Sequence, residues 1–229
     1  EVGLRKASPF FYKASIKHLM ESHLAAQDSS LVSQFVHKLG PTADWCVKRH
    51  EAKWYPSGNT FSPIGVRQVR FDLTSSSSEF LDPLSTVLQF RLMNDDFDGT
   101  ADKNIYLAAT AQALFRRITV KCGGVIVSDE DYVNRFARMM MEFIPQTKKD
   151  NLRIMQGDRG DTVGASKTFA IPILAPLLMQ DKYLPLNVMS CTISFELVDQ
   201  ATDIMMLNSE LPAGITGQSS RWHIEDCVI

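Results

Sequence analysis

The chain has 229 residues, 45% of them hydrophobic and 22% charged, which supplies a real core and excludes a disordered polymer. Its formal charge of −2 gives no global basic field to announce nucleic acid, and no apolar run reaches the roughly 18–20 residues a membrane helix needs. The four cysteines, at 46, 122, 191 and 227, are too widely separated for a CxxC or zinc-ligand spacing, so the expectation is reduced, buried thiols and folding in a reducing compartment.

Residues 1–60 read as an arm. Ile16, Leu19, Met20 and Leu24 fall at helical spacing, Leu31, Phe35 and Val36 continue it after a polar break, and a Pro/Gly/Ser/Asn stretch at 56–63 reads as an extended linker. Four histidines lie here (His18, His23, His37, His50), but His18 and His23 are five apart and face different ways on a helix, so packing or solvated histidines are the expectation. The arm has eight Lys/Arg against five Asp/Glu, with Trp45, Trp54 and Tyr55 interleaved. That surplus permits a weak nucleic-acid contact and favours a packing arm.

Residues 66–92 carry two alternating runs. Val69, Phe71 and Leu73 alternate with Arg70, Asp72 and Thr74, and Leu88, Phe90 and Leu92 alternate with Gln89 and Arg91. This is the period of half-buried strands, and the serine-rich segment between them reads as the turn of an opening hairpin. Residues 94–104 form an acidic loop in which Asn94, Asp96, Asp98 and Gly99 match the first half of a calcium loop. Ile105 stands where the bidentate Glu is needed, so a solvent loop is the expectation. Ile118, Val120 and Cys122, then Gly123-Gly124, then residues 125–127 give a second hairpin.

Ser128 or Asp129 is the expected cap of an amphipathic helix with Tyr132, Val133, Phe136, Met139, Met140 and Phe143 on one buried face. Residues 146–167 are polar and glycine-rich and read as a long exposed loop. They contain Arg159-Gly160-Asp161, a tripeptide used by some ligands of adhesion receptors, though three-residue matches arise often by chance. Phe169, Ile171 and Ile173, then Ile193, Phe195 and Leu197, mark two more strands, and Trp222, Ile224 and Val228 a last one after a loop at 211–220. The alternating sets predict a core of Val69, Phe71, Leu73, Leu88, Phe90, Leu92, Ile118, Val120, Ile193, Phe195 and Leu197.

No G-x-S-x-G, H-E-x-x-H, Walker A or dinucleotide fingerprint is present, so no catalytic, cofactor-binding or metal residue is assigned and a non-enzymatic, structural role is expected. The pattern predicts a mainly β protein, an antiparallel jelly-roll sandwich with an N-terminal helical arm and one amphipathic helix between strands. Three segments, FDLTSSSSEFLDPLSTVLQFRL, ITVKCGGVIVSDEDYVNRFARMM and KYLPLNVMSCTISFEL, resemble in order and spacing the major capsid proteins of the double jelly-roll lineage of large eukaryotic DNA viruses, virophages and related elements.

That resemblance implies a structural virion protein that self-assembles with copies of itself and other capsid proteins into an icosahedral shell. Its location would be the virion, with assembly in host cytoplasm or nucleus. The implied oligomer is a trimer if the jelly roll is double and a pentamer if the protein is penton-like; a non-viral jelly-roll binding module stays open. Residues 61–229 would form the jelly roll. Because residues 222–229 read as an unfinished apolar strand, the natural polypeptide is expected to continue past Ile229 into a second jelly roll.

Overall fold

Every residue of the expected core is buried, at 3% exposure or less, and the alternation that named them builds the strands of a computed structural model describing residues 50–75 and 79–229. Contacts divide the chain into residues Glu1–Glu51 and Ala52–Ile229. The helical expectations at 16–36, His18, His23, His37 and the basic charges of the arm up to Arg49 lie outside the described residues.

The strands in chain order are β1 (Gln68–Leu73), β2 (Phe80–Leu81), β3 (Val87–Asn94), β4 (Ile105–Tyr106), β5 (Phe115–Cys122), β6 (Val125–Glu130), β7 (Thr162–Val163), β8 (Ser166–Pro172), β9 (Leu184–Pro185), β10 (Cys191–Leu197) and β11 (Trp222–Val228). Among the described residues two α-helices interrupt them, α1 (Val133–Glu142) and α2 (Gln146–Gln156). One sheet has the order β1-β10-β5-β6 and a second the order β11-β3-β8, with every pairing antiparallel. Apart from the β5–β6 hairpin, successive long strands alternate between the sheets, which makes the protein an antiparallel jelly-roll sandwich.

Five phenylalanines join the two sheets. Phe71 on β1 meets Phe195 on β10 edge to face at 5.9 Å, and Phe195 meets Phe115 on β5 at 5.4 Å. Phe115 crosses to Phe90 on β3, again edge to face at 5.4 Å, and Phe90 reaches Phe169 on β8 at 5.9 Å. Each ring comes from an inward position of a different strand, so one continuous aromatic stack fixes both the spacing of the sheets and the register of their strands.

The opening hairpin is corrected. β1 pairs with β10, whereas β3 lies between β11 and β8 in the other sheet. The segment between them, residues 74–86, contains β2, which pairs with β9, and a 3-10 turn at Pro83–Ser85. A connection of this length is far longer than a tight hairpin turn and has room to cross the sandwich. The second hairpin stands as read: Cys122 faces Val125 across Gly123 and Gly124, both at positive φ (57° and 84°), the backbone a two-residue turn of this hand requires.

Residues 146–156 are a helix, not a loop. Pro145 precedes its first turn, and Lys148, Lys149, Leu152, Arg153 and Met155 favour helix; the segment looks loop-like in sequence because nearly all of it faces water. Gly157 ends it at φ 70°, where a Cβ would sit 2.9 Å from the Phe169 ring. Its N–H donates to the Arg153 carbonyl. Among the described residues, two α-helices thus stand between strands where the sequence pattern predicts one.

The sandwich also takes in Trp54, from the expected arm, and Phe61, from the stretch that reads as an extended linker. Trp54 and Ile229 exchange backbone hydrogen bonds (2.9 and 3.0 Å), and Phe61 bridges Ile224 (3.0 and 2.8 Å). In β11 a bulge after Glu225, with Asp226 at φ 51°, shifts the inward phase, so Cys227 and Ile229 are buried while Val228 is only half-buried.

Candidate functional site

Helix α1 carries the principal surprise of the structure. Its inner stripe is Val133 and Ala137, which are 4% and 1% exposed and pack on β5 and on the turn at Ala111–Leu114. Phe136, Met139, Met140 and Phe143 recur at i, i+3, i+4 and i+7, but they stand 49%, 52%, 44% and 76% exposed. The expected buried face is corrected: of its residues Val133 is buried, whereas Tyr132, Phe136, Met139, Met140 and Phe143 are exposed and the last four form an outer face. Ala137 was the available signal, because a helix lying close on a sheet needs a small residue at the contact, and the bulky stripe then has to face elsewhere.

The start of the helix is also corrected. Ser128 and Asp129 belong to β6, and Asp129 accepts 2.7 and 3.0 Å hydrogen bonds from Arg117 and Thr119, which hold its carboxyl below the usual range. Tyr132 occupies the cap position in the left-handed region (φ 57°), its N–H donating to the Asp131 carboxylate at 2.9 Å. Arg116 and Arg135 lie against the Tyr132 ring at 5.4 and 4.9 Å, and Arg116 also pairs with Asp131 (3.4 Å) and Asp199. These contacts set the angle at which α1 leaves β6 and presents its outer stripe.

Two further apolar groups are uncovered. Val125, Ile126 and Val127 at the tip of the β5–β6 hairpin are 68%, 55% and 53% exposed, since a register shift at this point breaks the alternation. On α2, Ile154 and Met155 are 82% and 54% exposed.

The other sequence candidates resolve individually. Asn94 ends β3, its side-chain N–H donating to the Lys103 carbonyl at 2.8 Å. Asp95 contacts His223 (2.6 Å), Asp96 pairs with Arg221 (3.4 Å), and Asp98 accepts from the Thr100 N–H and hydroxyl at 2.9 and 2.6 Å. These carboxylates brace the loop against its own backbone and against β11, and among the described residues no three His, Cys, Asp or Glu converge as a metal site. His50 is exposed.

Arg159-Gly160-Asp161 is not a presented tripeptide. Asp161 is 7% exposed and accepts from Arg153 on α2 (2.8 Å) and Lys167 on β8 (3.0 Å). Burial pushes its carboxyl up, but those two cations outweigh this and hold it below the ordinary value. Gly160 donates its N–H to the Leu107 carbonyl and Arg159 pairs with Glu210 at 2.8 Å. The carboxylate a receptor would read is committed inside the fold. Beneath α1 a cavity of about 140 Å³ is lined by Ala108, Ala113, Asn134, Arg138 and Asp203. It is well below the 300 Å³ or more of a small-molecule site.

No protein-family model matches the chain, and no curated relative matches it. Among solved structures it is similar to VP54 of PBCV-1, as fitted into a reconstruction of the virophage Sputnik, with TM-score 0.44 and 15% identity over 79% of this chain and 42% of that one. A Sputnik virophage structure aligns with TM-score 0.46 and 12% identity over 86% and 50% of the two chains, and the mavirus major capsid protein with TM-score 0.44 and 10% identity over 100% and 51%. The chain spans about half the length of the structures it matches.

Proposed function

We propose that this chain is a structural virion protein, a self-assembling subunit of an icosahedral capsid, as the sequence resemblance implies. The observation that carries the reading is the uncovered apolar stripe of α1. Taking roughly 200 Å² for a fully exposed Phe or Met side chain, its four residues leave about 450 Å² of side-chain surface in water. That is as large as the largest patch on an ordinary monomer before the hairpin tip and α2 are added, and such patches mark protein contacts. On this reading the partners are copies of the chain and other capsid proteins, the location is the virion, and no residue is catalytic. The second reading, a binding module built around a small ligand, would need a larger cavity than the one under α1.

Electron microscopy of the purified protein tests this directly. Closed shells of uniform size support it, and a persistent monomer that binds a small ligand overturns it. The combined variant Phe136→Ser, Met139→Ser, Phe143→Ser should keep its circular-dichroism spectrum and fail to assemble; wild-type assembly by that variant would remove α1 from the interface.

A further inference from the structure

We infer that Cys122 and Cys191 form a site of reversible disulfide closure that locks β5 to β10. The two residues are directly opposite in the antiparallel register, one at the end of β5 and the other at the start of β10. Both side chains are buried, at 6% and 2% exposure, and their sulfurs are 3.1 Å apart. The Gly123 N–H donates to the Ser190 carbonyl, so the adjacent Cys122/Cys191 pair is of the non-hydrogen-bonded kind, with Cα atoms about 4.5 Å apart and side chains at their closest. That spacing lies within the range disulfides span, and the sulfurs need to approach by only about 1 Å.

The reaction is thiol-disulfide exchange with a small disulfide such as oxidised glutathione. One thiolate attacks the glutathione disulfide and releases one glutathione thiol; the second cysteine, deprotonated, then attacks the mixed disulfide and releases the other, so two thiols are oxidised and one disulfide is reduced. Burial, then the neighbouring Cys122 thiol, push Cys191 up to about 12, so exchange waits for the end of the sheet beside Gly123-Gly124 to open. Cys227 is an internal control: it is equally buried and also pushed up to about 12, but its sulfur contacts the Glu225 carbonyl at 3.9 Å and not a second thiol. On the capsid reading above, a subunit made among reduced thiols and later carried outside the cell would close this link on the way.

The experiment needs no assembly and so stands apart from that reading. The full 229-residue chain is held in mixtures of reduced and oxidised glutathione, alkylated, and digested without reductant for peptide mass mapping. A peptide pair joining Cys122 to Cys191, lighter by two hydrogens, is expected. It should vanish in Cys122→Ser and in Cys191→Ser and persist in Cys227→Ser, and the linked chain should unfold at higher urea. Alkylation of both residues at every ratio, glutathione retained on either one, or links through Cys46 or Cys227 in their place would each overturn the inference. Mapping the wild-type chain keeps the test valid if a serine variant does not fold.

Discussion

Replacing Phe195 with alanine strikes the middle of the aromatic stack. The ring is 1% exposed, touches Phe71 and Phe115, and stands on β10, which is hydrogen-bonded on both sides. Removing it forfeits roughly 3 kcal/mol of transfer energy at about 25 cal/mol per Å². The residual cavity and the two lost ring pairs bring the sum to about 4–5 kcal/mol. Urea unfolding followed by tryptophan fluorescence is suitable, because Trp222 is 2% exposed and must be uncovered. The midpoint should fall with little change in slope, whereas Ile126→Ala at the exposed hairpin tip should cost no more than about 0.5 kcal/mol. A loss below about 1 kcal/mol for Phe195→Ala would mean that β10 faces the other way and that the stack does not join the sheets.

Asp161→Asn should cost about 2 kcal/mol, since it removes charged hydrogen bonds from Arg153 and Lys167 that tie α2 to β8. Because the folded Asp161 carboxyl is held below its ordinary value of about 3.9, its contribution is complete above that pH and is lost as pH falls through the folded value. Stability measured across the acid range should therefore fall less steeply in Asp161→Asn than in the wild type. Gly157→Ala should destabilise by about 1–3 kcal/mol in the same urea assay, from positive φ and the 2.9 Å approach to Phe169. Ala137→Leu should lift α1 off β5 at a cost of about 1–3 kcal/mol, read as a lowered urea midpoint; no loss would mean that the helix is not closely seated.

The strands were legible because each presents a single buried face, and period-two alternation records that face residue by residue. Phe71 and Phe90 are both correctly placed inside, yet the same alternation cannot say which sheet a strand joins, so β1 and β3 read as neighbours although they lie in different sheets. Helix α2 was missed for the opposite reason: a helix lying almost wholly in water has no apolar period, and its Lys, Asn and Gln residues resemble those of a loop. Asp161 was hidden in a different way, because its partners Arg153 and Lys167 come from separate elements that only the fold brings together. The β11 bulge was invisible because Asp226 carries no sequence mark of its positive φ.

The α1 stripe shows what periodicity does and does not contain. Spacing establishes that Phe136, Met139, Met140 and Phe143 share a side of the helix, but not what lies against that side; Val133 and Ala137 already occupy the inner one. At about 25 cal/mol per Å², burying the roughly 450 Å² of the stripe is worth on the order of 11 kcal/mol at most. Bringing two chains together costs an estimated 4–15 kcal/mol. A single contact through α1 is therefore marginal, while a closed arrangement in which each subunit makes several contacts multiplies them. On the capsid reading proposed above, the expected behaviour is a chain that stays largely monomeric when dilute and assembles above a sharp concentration threshold. Light scattering against concentration measures this, and a stable dimer persisting far below the threshold would show that the stripe serves one strong pairwise contact and not a shell.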